Sequence, residues 1–337
     1  MTLATPTPNR YDVADQAPFR IADVLLRWET ILVILLAAVI AFNTYISPYF
    51  LDIYNLSDAT FNFSEKAIVA LAMGLLIISR DIDLSVAAII AVASLAMGEA
   101  SIAGASTPFL ILIGLAVGAA CGAFNGALVT GFGLPAIVVT IGTMSLFRGL
   151  AQVVLGDQAI TKYPASFAAI GQGYLAKGVP IPISFTTFLL LAAVVSFVLH
   201  RTVIGRRIFA LGNNPVAARF SGIPVDRIRF WLFVLTGTMA GLASVFLTAR
   251  IGSTRPNIAL GFELEAVTMV VLGGVSIAGG SGTILGVVLA VFVLGLTTFG
   301  LSLINVPGIV INVLNGTLLI AAISLPIIAR RFLGKRA

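Results

Sequence analysis

A short polar segment interrupts one of the longer apolar stretches of the chain. Residues 80–85 read Arg-Asp-Ile-Asp-Leu-Ser, and the apolar stretch that they divide runs from Ala67 to Met97. Each half is shorter than the roughly 20 apolar residues that a membrane-spanning helix needs. The segment is therefore either a solvated turn at the cytoplasmic surface or a break within the membrane.

A break within the membrane would bring polar groups to a place where a solute could cross. Irregular backbone at membrane depth persists only beside protein or water, and charges buried there are costly and usually functional. Asp81, Asp83 and Ser85 would then offer two carboxylates and a hydroxyl to a polar solute. Arg80, three residues before Asp83, could neutralise part of that charge as an i, i+3 pair.

Three further polar residues are candidates for the same path. Asn125 lies within a ladder of glycines at positions 114, 118, 122 and 126, a spacing that lets another helix approach closely. An amide in such a place needs a partner, so Asn125 is the stronger candidate. Thr140 and Thr143 follow in the next apolar stretch. Their hydroxyls either line a polar path or bond back to carbonyls of their own helix.

A polar segment from Arg201 to Arg229 suggests recognition of a partner. Its 29 residues carry six arginines, one aspartate and no other charged residue, a bias typical of a cytoplasmic loop. Within it the sequence predicts a two-turn helix, with a capping residue, a proline at the first helical position and a glycine stop. The residues concerned are Asn214, Pro215, Val216, Ala217, Ala218, Arg219, Phe220, Ser221 and Gly222.

This predicted helix is too short to be stable alone in water. Val216, Ala217 and Phe220 give it an apolar face that must lie against something. A short helix that a membrane protein offers to the cytoplasm predicts docking to a soluble partner.

The composition identifies an integral membrane protein. Hydrophobic residues make up 59% of the 337 residues and charged residues only 10%, whereas soluble domains carry about 25% charge. The pattern predicts an all-α, polytopic bundle of about ten transmembrane helices with both termini cytoplasmic. The predicted spans lie near 30–47, 63–79, 84–102, 108–131, 134–155, 182–200, 229–249, 263–280, 282–304 and 307–329.

The distribution of basic residues supports this orientation. With both termini inside, fourteen of the twenty Lys and Arg residues fall on the cytoplasmic side. Residues 156–182 form the largest segment on the other side and are long enough for a short surface helix. The six exceptions to the cytoplasmic bias are Lys66, Arg148, Lys162, Lys177, Arg250 and Arg255.

Several functional classes lack the residues that they require. One cysteine and one histidine exclude a disulfide framework and a Cys/His metal cluster, so we expect no metal site and no cofactor. The sequence holds no phosphate-binding loop and no protease or hydrolase motif, so we expect neither an ATPase site nor catalytic residues. The basic residues lie at span ends and in one loop, which indicates orientation in the bilayer rather than a nucleic-acid surface.

Four longer motifs follow one another in the chain: IDLSVAAIIAVASLAMG (82–98), GAFNGALVTGFGLPAIVVTIGTMSLFRGLA (122–151), GRRIFALGNNPVAARFSGI (205–223) and GFELEAVTMVVLGGVSIAGGSGTILGVVLA (261–290). In this order they resemble a known family, the ribose-type permease subunits of bacterial ABC sugar importers. The likeness covers roughly residues 30–330. Two glycines usual before Ile-Asp-Leu-Ser are replaced here by Arg80 and Asp81, and the glycine usual after Ser-Val is Ala87.

The resemblance implies a multi-pass subunit of the bacterial inner membrane without an ATPase site of its own. Its implied partners are a cytoplasmic ABC ATPase, a second permease subunit, identical or not, and an external sugar-binding protein. The family's coupling helix corresponds to Asn214–Gly222. Implied solutes are pentoses, hexoses, deoxyhexoses, polyols and related furanosyl signals.

These expectations divide the chain into three parts and leave one competing function. Residues 1–29 are predicted to be a cytoplasmic lead-in, 30–329 the transmembrane permease domain with 201–229 as its coupling loop, and 330–337 a basic cytoplasmic tail. The alternative function is an ion-coupled secondary transporter, in which Asp81 or Asp83 would carry the proton or sodium ion. Such a carrier has no need of a docking helix.

Overall fold

The chain folds as a bundle of apolar helices with one small hairpin. A computed structural model describes residues 27–176 and 178–333, with the backbone alone at 319, 322, 323 and 325–333. Most of the predicted lead-in, Lys177 and tail residues 334–337 lie outside the described residues. The helices are α1 (Trp28–Ile46), α2 (Ile53–Ile78), α3 (Val86–Ile102), α4 (Thr107–Gly131), α5 (Ala136–Leu155), α6 (Ala165–Gln172), α7 (Ile183–Arg201), α8 (Val203–Asn213), α9 (Pro215–Phe220), α10 (Val225–Ile251), α11 (Phe262–Leu272), α12 (Ile284–Leu303) and α13 (Gly308–Leu333).

The helices confirm a membrane bundle. Among the described residues, 7 helices are long and apolar enough to cross a membrane: α1, α2, α4, α5, α7, α10 and α12. α3, with 17 residues, is shorter. Between α5 and α7, the predicted surface helix is α6, and it is followed by an antiparallel hairpin of β1 (Tyr174–Ala176) and β2 (Val179–Pro182).

Two predicted spans have different limits in the structure. α2 begins at Ile53 rather than near residue 63, because the Asp52 side chain caps it by accepting from two backbone N–H groups. The predicted span 263–280 is wrong as a continuous helix, since α11 ends at Leu272. Four glycines beyond this end adopt a positive φ, which a helix does not allow: Gly274, Gly279, Gly280 and Gly282.

The glycine ladder of α4 packs against α10, as the sequence predicts. The two backbones approach so closely that a methyl group at Gly118 would collide with the carbonyl oxygen of Gly237, and the reverse is also true. Gly122 faces the carbonyl of Phe233 in the same way. Small residues at this contact replace side-chain packing by backbone packing, which is a common way for membrane helices to associate.

α2 is the central helix, and an ion pair near each end of α10 joins α10 to α2 or to the residues just after it. Nearly all of its residues from Phe63 to Ile78 are buried, and it contacts α7, α10, α11 and α12. Arg229, near the start of α10, pairs with Asp81 just beyond α2 at 2.6 Å, and Arg250, near the end of α10, pairs with Glu65 at 2.7 Å. The two helices are therefore antiparallel. We call the two regions the Asp81 end and the Glu65 end.

The predicted outer segment and the predicted docking helix lie at opposite ends of this helix pair. Gln172, in the segment 156–182, donates to the carbonyl of Arg250 at the Glu65 end. At the Asp81 end, the Arg80 guanidinium donates to the carbonyls of Gly212 and Asn213, immediately before the docking helix. The predicted topology likewise has these two segments on opposite sides of the membrane.

Candidate functional site

Asp83, Ser85 and Asn125 form one buried, hydrogen-bonded cluster at the Asp81 end. The Asp83 carboxylate accepts from the Ser85 backbone N–H at 2.9 Å and from the Ser85 hydroxyl at 2.6 Å. The Asn125 amide, from α4, donates to Ser85 Oγ at 2.8 Å and contacts Asp83 Oδ2 at 3.4 Å. All three residues are 0% exposed. We call these three residues the Asp83 cluster.

Thr140 and Thr143 lie on α5, and Thr140 bonds to the residue just before Asp83. The Thr140 hydroxyl reaches the carbonyl of Ile82 at 3.3 Å and that of Ile137, in its own helix, at 3.4 Å. Thr143 bonds back to the carbonyl of Thr140 at 3.4 Å. Thr140 thus bonds both to the segment 80–85 and to its own helix, and Thr143 bonds back to its own helix.

The connection between α2 and α3 is not a solvated turn. Asp81 is 4% exposed, and Asp83 and Ser85 are fully buried. The donors around the Asp83 carboxyl, from Ser85 and Asn125, are all neutral.

The predicted pairing of Arg80 with Asp83 is wrong. Arg80 adopts a left-handed conformation, with φ of 72°, and its guanidinium lies 2.6 Å from the Gly212 carbonyl and 2.8 Å from that of Asn213. Asp81 instead forms the two-pronged ion pair with Arg229. The left-handed turn directs Arg80 toward the end of α8, so the spacing rule for a continuous helix does not apply.

The predicted docking helix forms as α9, with the predicted caps. The Asn214 side chain accepts from the backbone N–H groups of Val216 and Ala217. At the other end, Gly222 has φ of 78°, and the N–H of Ile223 bonds to the carbonyl of Ala218. This is the glycine-terminated ending that the sequence predicts.

Most of the apolar face of α9 is exposed. Val216 is 65% exposed and Phe220 89% exposed, and Ala217 is exposed as well. Ala218 is the residue that packs against the chain, beside Leu211 and Val225. The helix packs against the rest of the chain on one side, and no described residue buries its larger apolar side chains, Val216 and Phe220.

A cavity of about 540 Å³ lies at the Glu65 end. Lys66 from α2 and Glu265 from α11 form an ion pair of 2.6 Å in its wall, and Arg250 lines it as well. The Lys66 ammonium also lies 4.9 Å from the centre of the Phe262 ring. None of the six residues predicted for the solute path is among its lining residues.

The sequence contained a signal for this cavity. Lys66, Arg250 and Arg255, three of the six exceptions to the cytoplasmic bias, line it. A fourth, Arg148, donates to the carbonyls of Pro256 and Ile258 and so holds the connection between α10 and α11 in place. Basic residues that depart from the cytoplasmic bias and lie inside the bundle need partners there. Here the acidic partners are Glu265 for Lys66 and Glu65 for Arg250, and they mark the position of the cavity.

A family model and curated proteins match the chain over most of its length. The family model described as "Branched-chain amino acid transport system / permease component" matches residues 55–323. The autoinducer 2 import system permease protein LsrD of Photorhabdus temperata is 35% identical over 302 residues, covering 88% of this chain and 90% of that protein.

Two further relatives carry the same description. LsrD of Yersinia enterocolitica is 36% identical over 302 residues and LsrD of Salmonella typhimurium 35% over 303, each covering 88% of this chain and 90% of the relative. No solved structure matches the chain. The resemblance drawn from the four motifs is confirmed, and the chain belongs to the family of branched-chain amino acid transport system permease components.

Proposed function

We propose that the chain is the membrane-spanning permease subunit of an ATP-driven ABC importer and forms the translocation path for a sugar or sugar-like solute. The observation that carries this proposal is the match to import-system permeases over 88% of the chain. The capped helix α9, with its exposed apolar face, supplies the physical means by which a separate ATPase could drive it.

The partners follow from this function. A cytoplasmic ABC ATPase docks on Asn214–Gly222, where Phe220 offers a large exposed side chain to a groove of the partner. A second permease subunit completes the path, and an external sugar-binding protein delivers the solute. The permease subunit itself hydrolyses no ATP.

We propose ten transmembrane spans with both termini in the cytoplasm. The opposite placement of Gln172 and Asn213 along the α2–α10 pair supports this topology, as does the arginine-rich loop. α11 then enters the membrane from outside and ends at Leu272, and the connection after it completes the crossing to the Asp81 end, where the Gly280 N–H donates to the Ile78 carbonyl. The membrane concerned is the bacterial inner membrane.

The topology has a direct test. In a Cys121→Ala background, a cysteine at Gln172 should react with an impermeant thiol reagent from outside. A cysteine at Asn213 should react only after the membrane is opened. The reverse labelling would overturn the orientation.

Asp83, Ser85, Asn125, Thr140 and Thr143 are proposed to form the inner part of the path, with Asp81 at its cytoplasmic rim. A sugar that crosses a bilayer must exchange its water for hydroxyl, amide and carboxylate partners. The hydrogen bonds within the Asp83 cluster support this role, because each donor can leave its present acceptor and donate to a solute oxygen instead.

The relatives are named for the import of autoinducer 2, and the resemblance adds pentoses, hexoses, deoxyhexoses and polyols. We propose a small polyhydroxylated solute from this group. The deciding experiment is co-purification from the native membrane, followed by binding of a sugar panel to the associated external protein.

Uptake of the solute so identified separates the importer from an ion-coupled carrier. Uptake should continue when the proton gradient is collapsed and ATP is maintained, and should stop when ATP is depleted. Uptake that follows the ion gradient instead would overturn the proposal.

A further inference from the structure

We infer that the cavity at the Glu65 end is a binding site for a neutral, polyhydroxylated solute of monosaccharide size. This rests on the proposed function and deepens it, because it places a first contact on the permease itself. The site is separate from the Asp83 cluster. Along α2, Lys66 and Ile78 are twelve residues apart, a rise of about 18 Å.

The size and position of the cavity suit a small ligand. Its volume of about 540 Å³ lies within the range of roughly 300–1,000 Å³ that is common for small-molecule sites. Residues of α2, α10, α11, α12 and α13 line it, so five helices and the connection after α10 meet there. A ligand in this position would contact both partners of the antiparallel α2–α10 pair.

The inner charges of the cavity are already paired. Lys66 pairs with Glu265, and Arg250 pairs with the buried Glu65 while also contacting the Asn62 side chain. A charged ligand would have to compete with these counter-ions. A neutral ligand can instead bridge an ammonium or guanidinium donor and a carboxylate acceptor without separating them.

The remaining lining groups match the chemistry of a sugar. Hydroxyl groups both donate and accept, and amides and hydroxyls in the wall do the same. Aromatic rings offer flat apolar surface to the C–H face of a sugar ring. The neutral polar residues are Asn62, Asn257, Thr268, Thr298, Ser302 and Asn315, and the aromatic residues are Phe63, Phe262 and Phe299.

A branched-chain amino acid fits this wall less well. Its ammonium and carboxylate groups would each need an unpaired counter-charge inside the cavity, whereas Lys66 and Glu265 already satisfy each other at 2.6 Å. Arg255 also lines the cavity but is exposed to solvent. Polar groups without net charge therefore favour a sugar over a zwitterion.

The test is protection of a cysteine by the solute, in the assembled importer without ATP. Thr298→Cys in α12 places a thiol in the wall, in a Cys121→Ala background. Ser302→Cys, one turn further along, is the second variant if the first is poorly folded. Ala103→Cys, in the exposed connection after α3 at the same end of the bundle, is the matched control. The probes are D-ribose, D-glucose, L-rhamnose, xylitol, autoinducer 2 and L-leucine.

An impermeant thiol reagent applied from outside should label the wall cysteines and the control. One of the polyhydroxylated probes should slow labelling of Thr298→Cys or Ser302→Cys at least fivefold, while labelling of Ala103→Cys and the effect of L-leucine should not change. Absence of labelling at both wall positions, or protection only by L-leucine, would overturn the inference.

Uptake measured on the same vesicles separates this inference from the proposed function. ATP-dependent uptake of a probe that protects neither wall cysteine would overturn the cavity as a solute site and leave the importer intact. Protection by a sugar that is never taken up with ATP would support the site and count against the importer.

Discussion

The two ends of the α2–α10 pair each carry an arginine–carboxylate ion pair but differ in the groups that surround it. At the Asp81 end, the Asp83 cluster is fully buried, and its carboxylate is held by neutral donors. At the Glu65 end, two ion pairs stand around a cavity of about 540 Å³. One end is closed by hydrogen bonds between its own groups, and the other leaves space between paired charges.

If the proposed function holds, one helix pair would serve both ends of the solute path. α10 carries an arginine near each end. Arg250 pairs with Glu65 of α2, and Arg229 pairs with Asp81, which lies just beyond the end of α2. A displacement of α10 along α2 would act on both ends together. Alternating access requires such a link, because the closed end must open as the open end closes.

The largest effect is expected where α4 packs against α10. Gly118→Val places a side chain against the backbone of Gly237, and overpacking of a dense contact costs about 1–3 kcal/mol or more. We expect little folded protein in the membrane and no transport, measured by membrane yield and size-exclusion chromatography. Gly142→Val, at an open position of α5, is the control. If both variants accumulate equally, α4 and α10 do not pack as described.

Loss of the exposed apolar face of α9 should uncouple the permease from the ATPase proposed to drive it. Phe220→Asp puts a carboxylate on a side chain that is 89% exposed, so the permease should fold normally. Burial of that charge at the contact should weaken ATPase binding at least tenfold, about 1.4 kcal/mol. Gly222→Pro should act alike, since proline cannot adopt φ of 78°.

Co-purification of the ATPase measures this effect. Val203→Asp, an exposed apolar position of α8, is the control in the same loop. Full recovery of ATPase with both Phe220→Asp and Gly222→Pro would refute the docking assignment.

Asp83→Ala should reduce transport while leaving the Glu65 end unchanged. We expect maximal uptake to fall at least tenfold, a barrier increase of about 1.4 kcal/mol, because the main acceptor of the inner cluster is gone. The half-saturation concentration should change little, since the external protein sets affinity. Asp58→Ala, at an exposed acid of α2, is the control. Wild-type uptake by an assembled Asp83→Ala complex would remove the cluster from the path.

The smallest effect is expected at Arg80. Arg80→Gly removes two hydrogen bonds to carbonyls but also relieves a left-handed backbone that costs about 1–2 kcal/mol for an ordinary residue. The two terms oppose each other, so the melting temperature in detergent should move little. Asp81→Asn should lower it more, because Arg229 loses its counter-charge. The opposite order would show that Arg80 holds this end together.

Local features of the sequence determined much of the docking helix and the helical bundle. Asn214, Pro215 and Gly222 act on backbone groups within a few residues, so their effect can be deduced from spacing alone. Long apolar stretches form helices through hydrogen bonds between backbone groups four residues apart, which are equally local. The early start of α2 was missed because a single capping residue, Asp52, outweighed the polar composition that follows it.

Only the tertiary structure decided which charges meet and where space remains. Lys66 and Glu265 are 199 residues apart, and Arg250 and Glu65 are 185 apart. Their pairing depends on the packing of α2 against α10 and α11. The sequence identified Lys66 and Arg250 as exceptions to the cytoplasmic bias of basic residues. Residue spacing, however, gives no information on partners so far away in the chain. The same limit applies to Arg80, whose left-handed backbone directs it to the docking segment instead of to Asp83.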